Sequence, residues 1–355
     1  MGSSGLSTSG VSKPAGIPLH FIEPLSITAA MNPPQDDQSI QELLHETPGN
    51  PVPANVHAGF ITTRDGKRLR YARFAAEGRP LKGTVVIQTG RNECIEKYFE
   101  TIRDLSKRGL GVAIFDLRGQ GGSERLIRNP HRGYVDSFMD YVGDVGVFFE
   151  EIVLPDCRGP YFMLAHSTGA LVALLAAPTL ANRVQRMVLS APLLAFAGQP
   201  LSMRGTLRLS SFLYGLGLGT MYLGHGKRDE NPPFEGNVLT SDPERHARNV
   251  DIYRHYPKLG IGGPTVAWIR AACLASERVQ DPDYIESLKV PTLIVAAGAD
   301  KVVDTPAIER FTQHLRTGSL VTIDGARHEL LQEADVYREQ FFAAFDAFIP
   351  GSEPA

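Results

Sequence analysis

The chain has 355 residues, which at about 150 residues per domain bounds it to roughly two domains or one large α/β domain. Hydrophobic residues make up 43% and charged residues 21%, with 36 Lys and Arg against 39 Asp and Glu and a net charge of −3. These values exclude a disordered acidic chain, a collagen and a disulfide scaffold, and give no sign of the basic face that nucleic-acid binding by counterion release uses. Cys94, Cys157 and Cys273 lie far apart without a C-x-x-C. That pattern favours reduced thiols in a cytoplasmic protein, and no Cys or His pair sits at zinc-ligand spacing.

In chain order, residues 1–55 carry eight of the 25 prolines and no sustained apolar period, which predicts an N-terminal extension that drapes or stays mobile. A signal peptide over 17–30 is disfavoured because Glu23 and Pro24 interrupt its apolar run. From residue 57 onward strands and helices alternate. A hairpin over 57–76 has Asp65-Gly66 as its turn, followed by strand 84–89, helix 95–108, strand 111–115 and helix 137–153. Strand 161–164, helix 168–180 and strand 184–189 repeat the unit. After a long gap come strand 291–297, helix 305–315 with Pro306 at its first position, strand 320–323 and helix 336–348.

Short apolar strands alternating with helices predict an α/β fold, a mostly parallel sheet covered by helices on both faces. The gap is too long for a loop, so 195–283 is expected to be an inserted helical cap on a core formed by 56–194 and 284–350. Within it, 209–226 lacks Asp, Glu, Lys and Arg over a length that touches that of a spanning helix. Five glycines dilute the stretch and favour a surface-lying or pocket-covering segment.

Ser167 stands between an apolar strand and an apolar helix, in Ala165-His166-Ser167-Thr168-Gly169. A sharp strand-to-helix turn presses the positions two before and two after the serine together, so both must be small, and it lifts the hydroxyl above the sheet. This makes Ser167 the candidate nucleophile. A serine needs a base, and the base an orienting carboxylate, at the carboxyl ends of other strands. Asp300, at the end of Leu293-Ile294-Val295-Ala296-Ala297-Gly298-Ala299-Asp300, and His328, just after the last strand, fill those places. The nearby Asp304 is expected at the entrance of the next helix. His166 adjoins the nucleophile on a tight turn and is expected to point elsewhere. The oxyanion donors are expected to be the backbone N–H of Thr168 and that of Arg91, beside Gly90 in the loop after the first parallel strand.

At these residues the chain resembles the α/β-hydrolase superfamily and, within it, the bacterial lysophospholipases and monoacylglycerol lipases. The resemblance covers roughly 57–350 and rests on Phe115-Asp116-Leu117-Arg118-Gly119-Gln120-Gly121, Gly133-Tyr134-Val135-Asp136-Ser137-Phe138-Met139-Asp140-Tyr141, His166-Ser167-Thr168-Gly169, Asp300 and His328. Leu239-Thr240-Ser241-Asp242 and Gly262-Gly263-Pro264-Thr265-Val266-Ala267-Trp268 look like the lysophospholipase branch. Two positions depart from the pattern. Ala165 stands where glycine is usual, and Thr89-Gly90 where the oxyanion loop has His-Gly.

The resemblance implies a serine ester hydrolase that needs no metal or cofactor and acts on a single-chain lipid ester, a lysophospholipid or a monoacylglycerol. Arg91 and Glu93 are then expected at the mouth, meeting a polar head group or pairing with each other. The cap residues Phe196, Leu201, Met203, Leu207, Phe212, Leu213, Tyr214, Met221 and Tyr222 suggest an acyl tunnel under a movable lid. Gly90, Glu93, Phe196, Phe212 and Tyr214 are accordingly the expected substrate contacts. Arg204, Arg208, Lys227 and Arg228 flank the apolar stretch and suit peripheral contact with anionic lipid heads. The alternatives are a short-chain carboxylesterase, an aminopeptidase using Asp229, Glu230 or Glu235 to hold an amine, and a ligand-binding protein without turnover. The sequence sets no oligomeric state.

Overall fold

The computed structural model describes residues 1–2, 40–77, 81–224, 226 and 232–351. Residues 3–39 of the extension, and Lys227, Arg228, Asp229 and Glu230, lie outside the described residues. From residue 40 the elements are α1 (Ile40–Leu43), β1 (Val56–Thr62), β2 (Arg68–Phe74), β3 (Gly83–Gln88), α2 (Phe99–Lys107), β4 (Leu110–Phe115), α3 (Phe138–Phe148), α4 (Leu154–Asp156) and β5 (Tyr161–His166). They continue with α5 (Thr168–Leu180), β6 (Val184–Ser190), α6 (Met203–Gly215), α7 (Pro243–His255), α8 (Val266–Val279), α9 (Pro282–Ser287), β7 (Thr292–Ala297), α10 (Thr305–His314), β8 (Gly318–Ile323) and α11 (Asp335–Phe348).

The strands form one sheet in the order β1-β2-β4-β3-β5-β6-β7-β8. β1 and β2 pair antiparallel, β2 joins β4 antiparallel, and every pair from β4 to β8 is parallel. Side chains on a strand alternate between faces, and both faces are covered. On β3, Val86 packs into the cluster that holds α3, α5 and α8, while Val85 and Ile87 join the cluster that holds α2 and α11. β3 and β7, inside the sheet, are buried along their whole length, whereas β8, at the sheet edge, is half-buried or exposed at every position before Ile323.

Two segments are tied to the core more closely than their composition suggests. Residues 40–55 belong to the predicted loose extension, yet Leu43 and Leu44 are buried beside Phe99 and Ile102. The Leu43 carbonyl accepts a bond from Arg70 at 2.8 Å, and Asn50 donates to the Glu96 carbonyl at 2.9 Å. Two adjacent leucines and one buried amide hold this piece where proline content alone points to a tail. Within 195–283, the expected cap, helix α8 buries Trp268, Ala271, Ala272 and Cys273 in the main core cluster with α5, so this helix packs as part of the core, and α6 packs against it. Among the described residues no helix is long and apolar enough to cross a membrane; 209–224 is split between the end of α6 and a loop.

Candidate active site

β5 ends at His166 and α5 begins at Thr168, so Ser167 alone makes the turn, with φ +52° and ψ −113°. A left-handed serine is strained and persists only where its surroundings fix it. Here its N–H donates to the Ser190 carbonyl at 2.9 Å, and its own carbonyl accepts from Leu193 at 3.2 Å. Gly169 lies against the loop after β3, where a Cβ would collide with the carbonyl oxygens of Gln88 and Thr89. That contact requires glycine and brings the loop against the start of α5, where the Thr168 N–H has no intrahelical acceptor.

The loops after β7 and β8 carry the other two predicted side chains to the same place. His328 Nε2 is 3.0 Å from Ser167 Oγ, and His328 Nδ1 is 2.7 Å from Asp300 Oδ2. Asp300 Oδ1 accepts the N–H groups of Val302 and Val303 at 2.7 and 3.0 Å. Burial pushes the Asp300 carboxyl up, but the His328 bond and the two backbone donors outweigh it and hold it below the usual range. Ser167, His328 and Asp300 are all buried. Such a row can move a proton from hydroxyl to imidazole and stabilise the imidazolium that results. Asp304, the rival carboxylate, caps α10 by accepting from Ala307 at 3.1 Å.

The remaining predicted contacts divide. Phe196 and Arg91 line a cavity of about 920 Å³ that opens onto Ser167 and His328. The Arg91 guanidinium donates to the Gly262 carbonyl at 2.8 Å and lies 5.7 Å from the Trp268 ring centroid. Glu93 borders the cavity but is 4% exposed, and it does not pair with Arg91 as one expectation had it. It accepts from Lys97 at 2.8 Å, Tyr98 at 2.6 Å and the Gly90 N–H, and it meets His166 Nδ1 at 3.2 Å. Burial pushes its carboxyl up, but the Lys97 and His166 charges outweigh this and hold it well below the usual range.

Gly90 does not reach the cavity; a Cβ there would sit 2.8 Å from both Glu93 Oε2 and His166 Nδ1. Phe212 is 65% exposed on the outer face of α6 and Tyr214 donates to Asp136 at 2.6 Å beneath Arg270, so neither lines the cavity. The reason is helical phase. α6 turns Met203, Leu207 and Ser210 inward, which leaves Phe212 facing out.

The residues that composition and motif did not reveal are Lys97 and Glu329, joined at 2.6 Å, and the partners of His166. The spacing of Glu93 and Lys97, four apart at the start of a helical pattern, was the available signal. The cavity is bordered by apolar side chains of α6, α8 and their flanking loops, such as Leu209, Leu223, Trp268 and Ile269, and by His246, Asn249 and Tyr253 of α7. An aliphatic chain suits the first set and a polar group the second.

A family model described as serine aminopeptidase, S33 (Hydrolase_4), matches residues 79–335. Lysophospholipase L2 of Escherichia coli strain K12 is 34% identical over 292 residues, 78% of this chain and 83% of that protein. The monoglyceride lipase of Homo sapiens is 26% identical over 275 residues, 77% and 84% of the two chains. A crystal structure of a soluble variant of monoglyceride lipase from Saccharomyces cerevisiae, in complex with a substrate analogue, superposes with a TM-score of 0.67 at 19% identity, covering 86% of this chain and all of that one. With its matched span running across the sheet and the site, the chain belongs to the serine aminopeptidase S33 (Hydrolase_4) family and has the α/β-hydrolase fold.

Proposed function

We propose that this protein is a serine ester hydrolase that releases the acyl chain of a single-chain lipid, a lysophospholipid or a monoacylglycerol, through an acyl-enzyme. The hydroxyl of Ser167 attacks the ester carbonyl while His328 takes its proton, and Asp300 orients and stabilises the imidazolium. The N–H groups of Thr168 and Arg91 receive the developing oxyanion. The protonated His328 then gives its proton to the leaving alcohol, and water repeats the sequence to free the fatty acid. The observation that carries this reading is the unbroken row from Ser167 Oγ through the His328 ring to Asp300, at 3.0 and 2.7 Å, beside a cavity with apolar walls. The names of the relatives support the lipid substrate.

Nitrophenyl esters of increasing acyl length test this reading. Rising kcat/KM from four to twelve carbons supports the lipid substrate, and a maximum at two to four carbons replaces it with a short-chain carboxylesterase. The description of the matching family favours a second reading, an aminopeptidase, for which Glu235 borders the cavity. Release of the amine from amino-acid nitroanilides at a rate exceeding ester hydrolysis would select it.

The proposed site opens under a face suited to lipid. Leu201, Phe212, Leu216 and Met221 are each more than 45% exposed around α6, near Arg204 and Arg208 of the same helix. We assign this face to peripheral contact with the surface that presents the substrate.

A further inference from the structure

Beneath the loop after β3 lies a set of buried ionisable side chains that the acyl-transfer steps leave unused: Glu93, Lys97, Glu329 and His166. His166 stands at their centre, between two acceptors. Its Nε2 faces the backbone carbonyl of His328 at 3.3 Å, and its Nδ1 faces Glu93 Oε1 at 3.2 Å. A carbonyl oxygen only accepts, so Nε2 carries a proton. Glu93 takes the Lys97 ammonium on Oε1 and the Gly90 N–H with the Tyr98 phenol on Oε2, which holds it as a carboxylate. Nδ1 therefore carries a proton too.

We infer that His166 is a positioning residue, held as the imidazolium, which ties the backbone of the base His328 to the loop that presents Arg91. The inference rests on the hydrolase reading above. His166 touches no reacting atom; it acts through Glu93, whose carboxylate accepts the Gly90 N–H one residue before Arg91, and through the His328 carbonyl. The charges agree with it. Lys97 bridges Glu93 and Glu329, and only a cationic His166 brings two negative and two positive groups into balance. Burial alone lowers the affinity of His166 for its proton, but the Glu93 carboxylate outweighs this and raises it. The remaining ionisable neighbour, the His328 ring, is 4.8 Å away between centroids. A neutral His166 would surrender one of its two bonds and leave an unbalanced negative charge near the place where the oxyanion develops.

The test joins a spectroscopic and a kinetic readout on the full chain. In nitrogen-15 histidine NMR at neutral pH, assigned by comparison with His166→Gln, both ring nitrogens of His166 are expected to be protonated. Raising the pH should remove one proton over the range in which kcat for a nitrophenyl ester declines. His166→Gln should lower kcat roughly 10- to 100-fold with KM little changed, and should lack that alkaline decline. A bare ring nitrogen at neutral pH overturns the proposal, and should His166→Gln not fold, the ring is assigned in the wild type by through-bond correlation to the His166 backbone. So does a His166→Gln enzyme with the wild-type kcat and the same alkaline limb. Failure of the hydrolase reading looks different: the wild type would turn over no ester at all, and the positioning role would fall with it whatever the NMR shows.

Discussion

His328 Nδ1 lies 2.7 Å from Asp300 Oδ2, while the other oxygen of Asp300 is held by the N–H groups of Val302 and Val303. The carboxylate is thus fixed from its backbone side and presents one oxygen to the imidazole. Replacing Asp300 with Asn keeps the shape but offers an amide where the ring N–H needs an anion. Asp300→Asn is expected to reduce kcat by roughly 10⁴-fold with a modest change in KM, since the wrong tautomer is then stabilised. Steady-state kinetics on a nitrophenyl ester checks this, and a loss under tenfold would remove Asp300 from its role.

Gly169 and the carbonyls of Gln88 and Thr89 leave no room for a methyl group. The backbone cannot yield on one side without moving the start of α5 and on the other without moving the loop after β3. Gly169→Ala is expected to cost about 1–3 kcal/mol in a urea denaturation series and to depress kcat more than KM. Wild-type stability and activity together would show that the loop is not pressed against the helix.

Glu100 ties α2 to α7. It accepts from Arg245 at 2.7 Å and from Arg248 at 2.6 Å. Burial pushes its carboxyl up, but the Arg245 bond and the nearby Arg338 and Arg248 charges outweigh this and bring it down to about 2 from an ordinary 4.5. A carboxyl that is more acidic when folded contributes stability fully above the unfolded value, and loses it as the pH falls from there toward the folded one. Discounted for the solvent that reaches this partly exposed carboxyl, the contribution is of the order of 1–2 kcal/mol, present above about pH 4.5 and lost toward pH 2. Glu100→Gln should remove that amount at neutral pH and flatten the decline over this window in denaturation midpoints. An unchanged acid profile would contradict the link.

On the proposed lipid-facing side, Phe212 and Leu216 are 65% and 60% exposed and remain off the cavity wall. The double change Phe212→Ser, Leu216→Ser should weaken sedimentation with anionic vesicles by roughly tenfold or more, from the apolar area withdrawn from the interface. Hydrolysis of a monomeric soluble ester should be unaffected. Equal vesicle binding by both proteins would show that the face serves another purpose.

Much of this was legible in the amino-acid order, for physical reasons. The strands stand out because burial on both faces demands continuous apolar runs, as in Thr84-Val85-Val86-Ile87 and Leu293-Ile294-Val295-Ala296. Ser167, Asp300 and His328 follow from a rule of position, since each lies just beyond the carboxyl end of a parallel strand, where the loops converge. What sequence reading missed depended on phase and on long-range pairing. Phe212 and Tyr214 belong to a helix whose inward face is chosen by α8, and no local pattern in 203–215 declares it. Glu93 resembled a residue of the mouth until Lys97, Tyr98 and His166 enclosed it, and two of those lie in the next turn of chain. Leu43 and Leu44 hid among prolines; their burial is set by Phe99 and Ile102, far along the chain.

The most direct measurement is mass-spectrometric product analysis of matched lysophosphatidylcholine and monoacylglycerol with one acyl chain, comparing wild type with Ser167→Ala. The wild type is expected to give free fatty acid from at least one substrate and an acyl adduct on the peptide containing Ser167, and the variant to lose both. Fatty acid released at the wild-type rate by Ser167→Ala, or no release from either lipid while amino-acid amides are cleaved, would contradict the proposed function.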